Sequence, residues 1–182
     1  SATPKFYAIG QFNNDKGNYN TLGLTEEYPN AESWEFCDND ELLCLFRTND
    51  FSRNANAFEA RYPDGNTDYT QIDALVSWVY STNGNLTKFK EEFEEHFNLH
   101  YTLIYYIITE AFGMIDSRAK NMFLDTWDGE IWYPVFYDMD TAFGLNNEGV
   151  TAFHYNIEYN DQIGSQNVFN GSSSLLWNNF KT

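Results

Sequence analysis

Short apolar runs near the start of the chain are typical of β-strands. They cover residues 6–12, 33–36 and 42–46, and a polar turn separates the last two runs. The next stretch, 49–66, is polar and contains a proline and a glycine, which predicts a surface loop. Residues 1–66 are therefore expected to form a small N-terminal β portion with long loops.

A helical period replaces this pattern after residue 66. A candidate N-cap at Thr67 or Asp68 and a stop at Gly84 enclose apolar residues with the spacing of one helix face, namely Ile72, Leu75, Val76 and Val79. A second helix is predicted over residues 86–97, since glutamates occupy one face and the other carries Phe89, Phe93 and Phe97.

The third predicted helix begins after Asn98 and ends at Gly113. Its residues are apolar on nearly all sides, which is typical of a helix that is buried on every face. We therefore expect this helix to be the central element of the helical part.

Two strand-like runs follow, at residues 121–127 and 130–137, and Asp128-Gly129 joins them. The Asp-Gly pair favours a two-residue hairpin turn. A polar, Asn-rich stretch then extends to Ser174, and a short helix is predicted to begin at Leu175 and to pack back on the core.

The chain of 182 residues has the length of one domain, so residues 1–182 are expected to form a single unit. Within it, residues 67–182 form the predicted helical part. The pattern as a whole predicts an α+β fold, with a helical core that carries the hairpin beside the small β portion.

The hairpin geometry brings candidate ligands together. A two-residue turn would pair Asn121 with Phe136, so that Asn121, Phe136 and Asp138 project from the same face of the ribbon. Asp116 lies five residues before Asn121, on the loop that enters the hairpin. Amide and carboxylate oxygens that converge in this way could share one cation such as Mg²⁺.

The spacing of Asp116 and Asn121 is the D-x-x-x-x-N spacing of a kinase catalytic loop. Phosphoryl transfer needs a carboxylate that accepts the proton of the attacking hydroxyl, and an Asn and an Asp that hold the metal. Asp15 and Asn20 share the spacing, so the context decides: the Asp116 pair follows an apolar helix and precedes a hairpin that delivers Asp138.

Two basic residues lie inside this spacing. Lys120 is either a contact for phosphate or a solvent-exposed lysine, and the exposed position is the simpler interpretation. The same two interpretations apply to Arg118.

The charge balance limits the classes of partner. The chain has 27 Asp and Glu against 10 Lys and Arg, a net charge of −17, which repels nucleic-acid backbones and anionic membranes and favours basic protein segments. No apolar run approaches the ~20 residues that span a bilayer. Because the chain starts without Met, we expect a piece of a longer polypeptide. Cys37 and Cys44 are out of register for a bridge and are predicted to be free thiols.

The block around the candidate ligands resembles the spore-coat protein H (CotH) kinases, whose pattern is approximately G-N-x-D, a following N, and then W-D-x-D-x-x-F-G. The matching residues are Gly113-Met114-Ile115-Asp116, Lys120-Asn121, Trp132 and Asp138-Met139-Asp140-Thr141-Ala142-Phe143-Gly144. Ser33-Trp34-Glu35-Phe36 and Leu176-Trp177-Asn178 are also similar to that family.

This resemblance implies an atypical protein-kinase-like fold that uses ATP with Mg²⁺ or Mn²⁺ to phosphorylate Ser in protein substrates. It implies that Asp116 is the catalytic carboxylate, that Asn121 and Asp138 are metal ligands, and that Asp140 is a further ligand or a partner of the ligands. It also implies a location on a spore coat, a virion or another extracellular surface.

The sequence departs from the family pattern in the phosphate-binding elements. We find no G-x-G-x-x-G loop and no strand lysine for the phosphates. The lobe that grips the nucleotide is therefore expected to be cut away or lost, and the isolated chain is not expected to be active. The alternative function is a non-catalytic structural or assembly module of a spore coat, a virion or a cell-surface complex. The presence of all four oxygen-bearing side chains of the candidate site, Asp116, Asn121, Asp138 and Asp140, favours the enzyme lineage.

Overall fold

The computed structural model describes residues 19, 23–36, 58–114, 117–118, 122–139, 142–143, 145 and 175–182. Within these residues the fold is α+β, with an antiparallel sheet of strand order β2-β1-β3-β4. The strands are β1 (Glu32–Phe36), β2 (Phe58–Tyr62), β3 (Met122–Thr126) and β4 (Trp132–Phe136). The helices are α1 (Thr70–Ser81), α2 (Leu86–Glu92), α3 (Leu99–Ala111) and α4 (Leu175–Phe180), and a 3-10 turn (Phe93–Glu95) follows α2.

One face of the sheet forms the core with the helices. Trp34 on β1 pairs with Leu124 on β3, and both side chains are completely buried. Because side chains alternate along a strand, Met122 shares this face. The helices and the segment 93–97 contribute most of the other core residues. Those residues include Ile72, Leu75, Val76, Val79, Phe89, Phe93, Phe97, Tyr105, Leu176 and Trp177.

The outer edge of β4 is held against the start of α3. Pro134 lies in β4, as expected of an edge strand, and the backbone of Trp132 bonds to the segment that precedes α3. The N–H of Trp132 donates to His96 O at 2.8 Å, and the N–H of Asn98 donates to Trp132 O at 3.0 Å. The side chain of Asn98 also caps α3 by accepting from the N–H of Tyr101 at 3.1 Å.

The helical period predicted the first two helices well. The residues predicted to line one face of α1 are buried, and Gly84 follows the helix with a positive φ of 71°. Phe89, Phe93 and Phe97 are buried together, as predicted. The last turn of the second predicted helix has 3-10 geometry, so α2 itself ends at Glu92.

The prediction that α3 is buried on every face is wrong. Leu103, Ile104 and Ile107 are exposed by 41%, 37% and 59%. The buried side of α3 carries Thr102, Tyr105 and Thr109 instead, as a row of hydroxyl groups. The threonines donate to backbone carbonyls of their own helix turns, which removes the cost of burying a hydroxyl and lets these residues face the core.

Part of the predicted loop at 49–66 is a strand. Strand β2 pairs with β1, and Ala60 packs against the core while Arg61 forms an ion pair with Glu35 at 2.5 Å. Residues 58–62 alternate apolar and charged side chains, so the pattern of a strand was present within the polar stretch. Glu59 and Arg61 form an ion pair on the far face of the sheet.

The hairpin forms, but its predicted register is wrong by one residue. Met122, not Asn121, pairs with Phe136, and residues 127–131 connect the strands in place of a two-residue turn. The carboxylate of Asp128 accepts from the N–H groups of Glu130 and Ile131, both at 2.8 Å, and thereby organises the longer connection. The argument that placed Asn121 and Asp138 on one ribbon face therefore fails.

Several predictions lie outside the described residues. These are the strands at 6–12 and 42–46, the thiols of Cys37 and Cys44, and nearly all of the polar, Asn-rich stretch that extends to Ser174. The predicted helix α4 is present and packs on the core through Leu176 and Trp177. In the part of the chain that the structure describes, no helix is long and apolar enough to cross a membrane.

Candidate functional site

The structure describes one of the predicted site residues and the chain on either side of the others. Asp138 is described, whereas Asp116, Lys120, Asn121 and Asp140 lie outside the described residues. The positions of their described neighbours therefore show which parts of the chain come together at the candidate site.

The first junction is the open end of the hairpin. Met122 begins β3 and pairs with Phe136, which ends β4. Asn121 directly precedes Met122 in the chain, and Asp138 follows Phe136 by two residues. Although the register differs from the prediction, the chain positions next to both candidate ligands meet at the same end of the hairpin.

The second junction connects α3 with the loop after β4. The N–H of Phe143 donates to the carbonyl of Phe112 at 2.5 Å, and the two rings meet edge to face at 5.2 Å between centroids. Phe112 caps the C-terminal end of α3, and the N–H of the buried Met114 bonds back to Thr109 O at 2.9 Å. The loop that leads to Asp116 and the loop that follows Asp138 are thus joined at their bases.

The third junction lies between Asp116 and Asn121. The carbonyl of Ser117 accepts from the hydroxyl of Tyr105 on α3, and the carbonyl of Arg118 accepts from Trp177 Nε1 on α4 at 2.7 Å. Ser117 and Arg118 are both buried. Two helices therefore hold residues 117–118, which lie in the sequence between the candidate catalytic carboxylate and the candidate amide ligand.

The exposed interpretation of Arg118 is wrong. The side chain is only 3% exposed, forms an ion pair with Glu110 and lies with its guanidinium carbon 4.6 Å from the centre of the Tyr106 ring. No local spacing rule relates these residues. The sequence analysis did not single out Glu110 or Tyr105, whereas Trp177 belongs to the predicted C-terminal helix and to a stretch that resembles the family.

Asp138 occupies a turn that exposes its carboxylate. Its φ is 47°, in the left-handed region, which Asp adopts more readily than most other residues. The chain turns again directly afterwards, where the N–H of Ala142 donates to Met139 O at 3.0 Å. Within the described ranges, no three His, Cys, Asp or Glu side chains are grouped as they would be around a metal ion.

A second carboxyl group, Asp125, is buried away from these junctions. It lies on β3 between Ser33 of β1 and Tyr133 of β4, is completely buried, and neither of its carboxylate oxygens has a hydrogen-bond partner. Burial raises its pKa to about 6. The open end of the hairpin is formed by the pair Met122 and Phe136, whereas Asp125 pairs with Tyr133 further along the strands. Asp125 is therefore on the hairpin but not at the candidate site.

Comparison with known families supplies a further finding. A family model described as "CotH kinase protein" matches residues 37–180, which is well over half of the chain and includes every candidate site residue. Comparisons with curated proteins and with solved structures gave no match. The chain belongs to the CotH kinase family.

Proposed function

We propose that this chain is a phosphotransferase domain of the protein Ser kinase type, with a kinase-like lobe that uses ATP and Mg²⁺ or Mn²⁺. In this proposal Asp116 accepts the proton of the substrate hydroxyl, Asn121 and Asp138 hold the metal, and Asp140 is a further ligand. Lys120 would contact phosphate in this proposal. The roles of Asp116, Asn121, Asp138 and Asp140 follow the family pattern residue by residue.

The observation that carries the proposal is that the segments next to the candidate site residues contact one another. The Phe112–Phe143 bond joins the bases of the two loops, and the Met122–Phe136 rung brings the start of β3 beside the end of β4. Phosphoryl transfer depends mainly on positioning and on charge stabilisation, so the residues that perform it must be held close together. Because these contacts join segments that are far apart in the sequence, they support one common site for the candidate residues.

The donor set fits the proposed metal. Carboxylate and amide oxygens are the hard ligands that Mg²⁺ and Mn²⁺ prefer. The Asp138 side chain is exposed, so an ion bound to a nucleotide could reach it. The metal would neutralise charge on the phosphates of ATP, and the proposed task of the chain is to orient that complex against a serine hydroxyl.

Exposed apolar side chains at Met139 and at the Phe112–Phe143 junction favour a polypeptide substrate over a small molecule. Phe112, Met139 and Phe143 are exposed by 41%, 53% and 71%. Such side chains commonly mark surfaces that bind proteins. The net charge of −17 further favours a substrate with basic segments, and the family points to a spore coat or another extracellular surface as the setting.

Calorimetric titration with Mg-ATP tests the proposal. We expect saturable binding that is lost or weakened in Asp138→Asn and unchanged in the matched control Glu130→Gln, which alters an exposed carboxylate at the opposite end of the hairpin. The titration should use this chain and the longest polypeptide that contains it. Absence of binding in both, or equal binding by Asp138→Asn, would overturn the proposal and leave the non-catalytic assembly module as the better hypothesis.

A further inference from the structure

The buried Arg118 calls for an explanation, because a charged side chain away from water is costly unless it is paired. Its guanidinium is paired with the Glu110 carboxylate and faces the Tyr106 ring, both on α3. Glu110 is partly exposed, so the pair connects the surface of α3 with the interior. The interaction joins the last turn of this helix to the segment that follows it.

The backbone of the same segment is held independently of the ion pair. Trp177 donates its indole N–H to the carbonyl of Arg118 at 2.7 Å, and Tyr105 donates its hydroxyl to the carbonyl of Ser117. Trp177 is 2% exposed and Tyr105 is 1% exposed, so both donors are fixed in the core. Two consecutive carbonyls and one side chain therefore fix this short piece of chain to α3 and α4.

The position of residues 117–118 in the sequence indicates a role for these contacts. Ser117 directly follows Asp116, and Arg118 precedes Lys120 by two residues and Asn121 by three. Consecutive Cα atoms are about 3.8 Å apart, so fixing residues 117–118 restricts where the preceding carboxylate can be placed. A catalytic base must be held close to its productive geometry, and a displacement of ~1 Å can lower the rate ~10²-fold.

We propose that Arg118, through its ion pair with Glu110 and the bond from Trp177 to its carbonyl, is a positioning residue that holds Asp116 in place for phosphotransfer. The inference rests on the proposed function. Arg118 acts through the backbone and not on the substrate, since its guanidinium is buried against α3 and not available to phosphate.

The test must separate positioning from stability. Replacing both members of a buried ion pair by apolar residues of similar size often preserves stability, so the double variant Arg118→Met with Glu110→Met removes the link without leaving an unpaired charge. Trp177→Phe removes the indole donor while keeping an aromatic ring in the core. The matched control is Arg61→Met with Glu35→Met, an ion pair on the far face of the sheet.

Two measurements apply to each variant: amide hydrogen exchange of peptides that cover residues 114–122, and phosphotransfer to a serine peptide by the longest polypeptide that contains the sequence. We expect both Arg118 and Trp177 variants to exchange about tenfold faster in this segment and to lose about tenfold or more in kcat, with the KM for ATP within about twofold of wild type. The Arg61 control should change neither quantity.

The outcomes distinguish this inference from the proposed function. Unchanged exchange in residues 114–122, or faster exchange with an unchanged kcat, overturns the positioning role. An equal loss of kcat in the Arg61 control also overturns it, because the effect would then be general. A wild-type protein that neither binds Mg-ATP nor transfers phosphate overturns the proposed function, and the exchange data still decide whether the Arg118 contacts hold the segment.

Discussion

The N–H of Phe143 bonds to the carbonyl of Phe112, so the loop after Asp138 is joined to the C-terminal end of α3. Phe143 has a φ of 66°, which is uncommon for a bulky residue and persists only where the surrounding structure fixes it. The bond and the ring contact supply that constraint. The two stretches that match the family pattern around Asp116 and Asp138 therefore meet at one junction.

The unusual backbone at Asp138 determines which substitution is informative. At φ 47°, Asn is tolerated almost as well as Asp, whereas Ala adds a steric cost of about 1 kcal/mol. We expect Asp138→Asn to unfold like wild type, Asp138→Ala to be less stable by about that amount, and both to lower Mn²⁺ affinity ~10-fold or more. Thermal unfolding and Mn²⁺ titration measure the two effects; a metal affinity that survives in both variants would remove Asp138 from the ligand set.

Asp116 is predicted to accept the proton of the substrate hydroxyl and not to bind the metal. Asp116→Asn keeps the size of the side chain but removes its basicity, so we expect nearly unchanged Mn²⁺ binding and a fall in kcat of ~10² or more. Single-turnover phosphotransfer by the longest polypeptide that contains the sequence measures this. Full activity of Asp116→Asn would assign the base to another residue.

Helical spacing and local motifs predicted much of this fold. The periods of α1 and α2, the start of α3 after Asn98 and the apolar start of α4 depend on nearby residues, and the structure agrees with them. The family was likewise identified from one stretch of sequence, because its glycine, aspartate and asparagine spacings are local.

The sequence could not reveal features that depend on distant partners. The contact of Arg61 on β2 with Glu35 on β1 joins residues 26 positions apart in the chain, although Arg61 is also paired with Glu59 on its own strand. Arg118 is buried because Glu110 pairs with it and Trp177 from the far end of the chain bonds to its carbonyl. The hairpin register shifted because the side chain of Asp128 organises a longer connection than the Asp-Gly pair predicts.

The exposed side of α3 gives a stability prediction. Ile107 is 59% exposed, so Ile107→Ser is expected to change the free energy of unfolding by no more than about 0.5 kcal/mol. Leu124 is completely buried, and Leu124→Ala is expected to cost about 2–5 kcal/mol. Denaturant unfolding of both variants measures the contrast, and equal losses would show that Ile107 is covered in solution.

The buried carboxyl group of Asp125 predicts a pH dependence with a definite sign. Because burial raises its folded-state pKa from 3.8 to about 6, the protonated form favours the folded state. The resulting contribution is fully present below about pH 4 and is lost as the pH rises through about 6, and it amounts to on the order of 3 kcal/mol. Asp125→Asn cannot titrate, so the difference in unfolding free energy between wild type and this variant should shift in favour of the variant between pH 4 and about pH 7. Denaturant unfolding of wild type and Asp125→Asn across this range measures the difference. A pH-independent difference would mean that the Asp125 carboxyl group is solvated in the folded protein.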